Sequence, residues 1–211
     1  MFPASGRSAH RAPRPRSANT TRPPDGRYCV TLRCRGTILA LPARLDTEGE
    51  PLLPDGVVPF PRGFGFGDGG QLYLSSGIGP SGEGDNTITT FDPDGRLRNP
   101  RLVSDPELSP LDLAIAPGGN LVVSSEWPFG SPSATSTIRE YDPSTGRLVR
   151  VLAPDPAVKF TRPRGLWFGP GGQLYCVGQD HVLAFDFPTG RFLGVTTELR
   201  KLNGQAVLLL N

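Results

Sequence analysis

Residues 163–190 read PRGLWFGPGGQLYCVGQDHVLAFDFPTG, and this stretch decides the fold. It holds a short apolar strand, a Gly171-Gly172 turn and a second apolar strand, Leu174-Tyr175-Cys176. A brief loop and a third strand, ending at Phe185, follow, and the stretch closes on an Asp186-Phe187-Pro188-Thr189-Gly190 turn. A Gly-Gly pair between apolar runs marks a hairpin, because glycine enters the φ > 0 region without steric cost. Asp folds its side chain onto the amides that follow it, and proline presets φ at the turn.

Working outward, both marks recur. The first returns as Asp25-Gly26, Gly69-Gly70 and Gly118-Gly119; its second glycines, Gly26, Gly70, Gly119 and Gly172, are spaced by 44, 49 and 53 residues. The second returns as Leu45-Asp46-Thr47-Glu48-Gly49, Phe91-Asp92-Pro93-Asp94-Gly95 and Tyr141-Asp142-Pro143-Ser144-Thr145-Gly146, with glycine spacings of 46, 51 and 44. Two independent turn series share one period. A third mark opens each unit: Pro61-Arg62-Gly63-Phe64, Pro110-Leu111-Asp112-Leu113, Pro163-Arg164-Gly165-Leu166 and the weaker Leu202-Asn203-Gly204-Gln205. Each unit therefore predicts four strands, a to d: about 63–67, 71–76, 86–92 and 96–103 in one, 111–116, 120–126, 136–142 and 147–153 in the next, and 164–169, 173–178, 181–186 and 191–198 in the third. A four-stranded repeat of this length is the signature of an all-β propeller. No segment keeps a 3.6-residue period, so helix is expected to be nearly absent.

The unit Pro-x-Gly-apolar, Gly-Gly-Gln-Leu-Tyr, Ile/Val, Phe-Asp-x-x-x-Gly resembles the NHL-repeat propellers and the related gluconolactonase, or senescence-marker, propellers. Residues 61–76, 86–97, 163–176 and 181–191 carry the likeness. The resemblance implies a funnel-shaped binding surface, used by some members for proteins or RNA and by others as an active site. Its motifs are structural turns, so they specify a fold and not an activity.

The predicted organisation is a disordered Arg/Pro/Ser-rich tail at 1–26, a partial blade at 27–60, blades at 61–109, 110–162 and 163–202, and a last strand at 203–211. The partial blade supplies strands b, c and d; the last strand reads as an a-strand. Two readings follow: the ends close a ring of about four blades, or the chain is part of a larger, open propeller of about six. An open array exposes strand edges and invites self-association.

Composition narrows the function. The chain has 211 residues and a net charge of +2, with Arg7, Arg11, Arg14, Arg16 and Arg22 in the tail. A near-neutral globular part gives no electrostatic footprint for nucleic acid. No run of 18 apolar residues is present to span a membrane as a helix. The tail has no apolar signal region, and its prolines break an amphipathic helix, so disorder is the leading reading; organelle targeting and non-native upstream sequence are the others. Cys29, Cys34 and Cys176 form no CxxC pair, which favours buried thiols in a reducing, cytoplasmic setting. His10 and His181 are too few for a zinc site.

In a propeller the d–a and b–c loops share one face, and long loops on a rigid scaffold tend to carry function. Here that face offers Glu83, Asp85, Asn86, Glu126 and Trp127, with Arg62, Asp112, Arg164 and Asn203 at the entries of inner strands. Two classes of function follow. In the leading one the protein is a non-catalytic binding scaffold without a cofactor. Arg62 and Arg164 clamp a small anionic ligand, or a group on a protein partner, and Trp127 with Pro128 and Phe129 supplies an aromatic anchor. In the alternative, which the resemblance implies, it is a calcium-dependent lactonase-type hydrolase with Asp112, Asn203, Glu83 and Glu126 as metal ligands. Two guanidiniums at the same rim oppose a dication.

Overall fold

The computed structural model describes residues 27–33, 35–41, 48–78, 82, 85–131 and 133–198. The tail, Cys34, Glu83 and the predicted last strand with Asn203 lie outside the described residues. Among the described residues there are strands and turns and no helix. None is therefore long and apolar enough to cross a membrane as a helix.

Fifteen strands form four antiparallel sheets, each in chain order. The first holds β1 (Tyr28–Leu32), β2 (Thr37–Leu41) and β3 (Glu50–Pro51). The second holds β4 (Pro61–Phe66), β5 (Leu72–Ser76), β6 (Thr87–Phe91) and β7 (Leu97–Asn99). The third holds β8 (Pro110–Ile115), β9 (Leu121–Trp127), β10 (Thr135–Tyr141) and β11 (Leu148–Leu152). The fourth holds β12 (Leu166–Phe168), β13 (Gln173–Val177), β14 (His181–Asp186) and β15 (Arg191–Glu198). The architecture is an all-β propeller with four blades described, the first lacking an a-strand among those residues. Among the described residues four sheets are present, not six.

The predicted turns form as their chemistry requires. Gly70 closes the Gly-Gly hairpin at φ 80°, and Gly95 closes the Asp turn at φ 82°. Two predicted strands are shorter: the d-strand expected at 96–103 pairs over Leu97–Asn99, and the a-strand expected at 164–169 over Leu166–Phe168. In the first case the chain turns at Pro100, which has no N–H to extend the ladder.

The apolar core lies between blades. Because side chains alternate across a strand, each central strand feeds two interfaces. On β8, Leu113 and Ile115 join Ile88, Leu121, Val123 and Tyr141 against the second sheet, whereas Ala114 joins Leu166, Leu174 and Phe185 against the fourth. A third cluster, with Ile38, Leu53, Phe66, Leu74 and Phe91, lies between the first two sheets. Strands buried on both faces read as near-continuous apolar runs, as PLDLAI does.

Inner strands meet closely. A Cβ on Gly63 would collide with the Leu113 backbone nitrogen and lie 2.6 Å from Asp112 Cα, so β4 passes β8 only without a side chain there.

Candidate functional site

The loops of one face enclose a cavity of about 670 Å³, lined by Arg33, Phe60, Arg62, Ile78, Asn86, Trp127, Pro128, Phe129 and Arg164. Arg33 comes from the β1–β2 hairpin and Phe60 from the approach to β4. Ile78 and Asn86 come from the β5–β6 loop, Trp127 to Phe129 from the β9–β10 turn, and Arg164 from the approach to β12. The structure thus brings together Arg62, Arg164 and Trp127. It adds Arg33, Phe60 and Ile78, which the sequence reading missed. Arg33 sits in the short b–c loop of the first blade, which a rule that selects long b–c loops passes over.

Arg62 is nearly buried. Its guanidinium carbon stands 4.9 Å from the Phe60 ring centroid and 4.9 Å from that of Phe129. Attraction between the cation and two ring faces holds the group without a carboxylate. Its Nη2 donates to the Ile78 carbonyl at 3.3 Å, and its buried Nε has no partner. Gly77 makes room for it, because a Cβ there would run into Nε and come 3.0 Å from Cδ. Burial, then the charges of Arg33 and Arg164, lower the Arg62 pKa to about 10. Arg164 is lowered by burial, then by Arg33 and Arg162, with Glu126 opposing. Among the described residues, Arg33, Arg62 and Arg164 form no ion pair.

The backbone is unusual at the rim. Phe60, Asn86 and Arg162 are non-glycine residues at φ 48°, 47° and 50°. Phe60 and Asn86 line the cavity, and Asn86 Oδ1 is buried without a partner. Such conformations cost on the order of 1–3 kcal/mol each and collect at ligand sites.

The candidate carboxylates among the described residues contact backbone amides or an arginine. Asp112 Oδ2 accepts a hydrogen bond from the Leu166 N–H of the next blade at 2.9 Å. Its own N–H donates to Ser124 Oγ at 3.0 Å, and that hydroxyl donates to the Arg164 carbonyl at 3.0 Å. Asp112 thus fastens two blades and supports the backbone of Arg164. Burial pushes its carboxyl up to about 6, against the pull of the Leu166 and Leu113 amides. Cys176, also buried, is raised by burial and by the nearby Asp112 charge. Glu126 is buried; its Oε1 accepts from the Arg162 N–H at 2.7 Å, and its Oε2 has no partner. Asp85 pairs with Arg101. Glu83 and Asn203 lie outside the described residues.

A calcium ion takes 6–8 oxygen ligands. Among the described residues no group of three or more His, Cys, Asp or Glu converges, Asp112 is turned to a backbone amide, and the cavity wall carries three guanidiniums. The described residues do not by themselves form a site for a hard dication.

No family model matches the sequence, and no curated protein matches it. Solved structures match at the level of the fold. A gluconolactonase from Xanthomonas campestris superposes with a TM-score of 0.50 at 16% identity, over 86% of this chain and 74% of that one. A streptogramin B lyase does so with a TM-score of 0.58 at 17% identity, over 86% of this chain and 54% of that one. The hydrazine synthase of Kuenenia stuttgartiensis gives 0.58 at 17%, over 80% of this chain and 50% of that one. The chain spans about half the length of the last two. Likeness at these identities shows the propeller fold, which the turn series predicts.

Proposed function

We propose that this propeller is a non-catalytic binding scaffold that captures a small anionic ligand in the cavity between Arg33, Arg62 and Arg164. One observation carries the reading: three guanidiniums face an aromatic-walled cavity with no carboxylate paired to any of them among the described residues. Like charges gathered around a buried Arg62 raise the free energy of the folded chain, and an anion in their midst lowers it. A pocket of apolar walls with a few convergent polar groups is the usual form of a small-molecule site.

The test is a thermal-shift panel of organic mono- and dianions on the wild type, on Arg164→Ala and on Arg33→Ala, the last at an exposed position. A ligand at 100 times its dissociation constant adds about 2.7 kcal/mol, worth roughly 5–10 °C for a domain of this size. The expected result is a shift for some anions that either variant reduces. A panel with no shift, or one unchanged in both variants, removes the reading.

A further inference from the structure

Resting on that reading, we infer that the ligand is a phosphate monoester with a flat, largely apolar ring as its body. Charge argues for a dianion. Three cationic side chains line the cavity, and among the described residues Glu126 is the carboxylate whose charge acts on them, through Arg164. With Arg162, whose charge also acts on Arg164, the balance is close to three positive charges, of which a monoanion compensates only one. A phosphate monoester near neutral pH carries a charge of about −1.5 to −2 and three strong acceptor oxygens.

Donor geometry argues for phosphate over carboxylate. Arg62 cannot turn a free fork to a two-oxygen group. It stands over the rings of both Phe60 and Phe129, Nε is buried against Gly77, and Nη2 is engaged by the Ile78 carbonyl. Nη1 makes no hydrogen bond among the described residues. Arg164 likewise has a buried Nε. Guanidiniums arriving from three separate blades suit a tetrahedral head with three oxygens; a planar carboxylate is fully met by one bidentate fork.

The walls define the body. Phe60, Ile78, Trp127, Pro128 and Phe129 present apolar surface, with Trp127 37% and Phe129 46% exposed. Aromatic side chains favour flat rings in offset or edge contact.

The experiment is calorimetric titration of the full chain at pH 8 with four probes. Phenyl phosphate carries both ring and dianion. Phenyl sulfate keeps the shape with a single charge, glycerol phosphate keeps the head without the ring, and inorganic phosphate has neither ring nor stem. Phenyl phosphate is expected to bind at least about tenfold tighter than each of the others, a difference of ~1.4 kcal/mol. Arg164→Ala and Arg33→Ala should each weaken it about tenfold, with circular dichroism confirming the fold. If phenyl sulfate binds within twofold of phenyl phosphate, the dianion assignment fails and anion capture stands. If glycerol phosphate equals phenyl phosphate, the ring assignment fails. If no probe binds at millimolar concentration and the anion panel is also silent, both readings fail together.

Discussion

The guanidinium of Arg62 stands over the rings of both Phe60 and Phe129, 4.9 Å from each centroid. Phe60 precedes the strand that carries Arg62, whereas Phe129 reaches in from the neighbouring blade. The contact therefore does two things: it fixes the charge on the cavity wall, and it holds the β9–β10 turn against the rim.

A double-mutant cycle measures that contact. Phe129 is 46% exposed, so Phe129→Leu forfeits little burial. Its cost should come mainly through Arg62, about 0.5–2 kcal/mol. In urea titrations of Phe129→Leu, Arg62→Met and the double variant, a coupling of at least about 0.5 kcal/mol is expected. Additivity within a few tenths would show that the ring and the cation do not interact.

Gly77→Ala should separate binding from folding. The added methyl runs into the Arg62 side chain and not into backbone, so the guanidinium moves while the sheet stays. Affinity for phenyl phosphate should fall about tenfold, with a change in stability of about 1 kcal/mol or less. Unchanged affinity would mean that the position of Arg62 does not matter to the site.

The Asp112 carboxyl gives a pH signature. Its folded pKa of about 6 lies above the ordinary 3.8, so the folded chain binds this proton more tightly than the unfolded chain. The stabilising contribution is complete below about pH 4 and is lost as pH rises through 6. Relative to Asp112→Asn, the wild type should therefore lose up to about 3 kcal/mol between pH 4 and pH 7. Urea midpoints for both proteins at pH 4, 5.5 and 7 measure the difference, which isolates Asp112 from every other titrating group. A difference that stays constant across the range would show that the carboxyl is not held out of water.

Calcium provides a further discrimination. Millimolar calcium should leave the melting temperature of the chain unchanged, because the described carboxylates do not converge. A rise reversed by chelator would restore the lactonase-type alternative and direct attention to Glu83 and Asn203.

The blades were legible because their information is local. A Gly-Gly turn, an Asp turn and a strand-opening proline each act over a few residues, so Gly70, Asp142 and Pro163 announce their roles without a partner. Arg62, Arg164 and Trp127 were legible for a related reason: loop position alone assigns them to one face. The part Asp112 plays between blades was not legible because it depends on a neighbour 54 residues away, the Leu166 amide. Asp112 stands where the other units have Gly63 and Gly165, and nothing local shows that the carboxyl is taken up by the next blade. Phe60 and Ile78 were missed because an apolar residue at a strand end reads as ordinary core until its exposed side is seen.

The apolar interfaces between blades have a thermodynamic corollary. In arrays where each unit is held by its neighbours, partial unfolding from an end is cheap, and blades open in sequence. The cavity, however, takes Arg33 from the first sheet, Arg62 from the second, Trp127 from the third and Arg164 from the fourth. On the proposed function, a bound anion would act as a rivet through the stack. Its presence should merge four separate opening events into one cooperative unit, visible as a common rise in amide protection across all four blades.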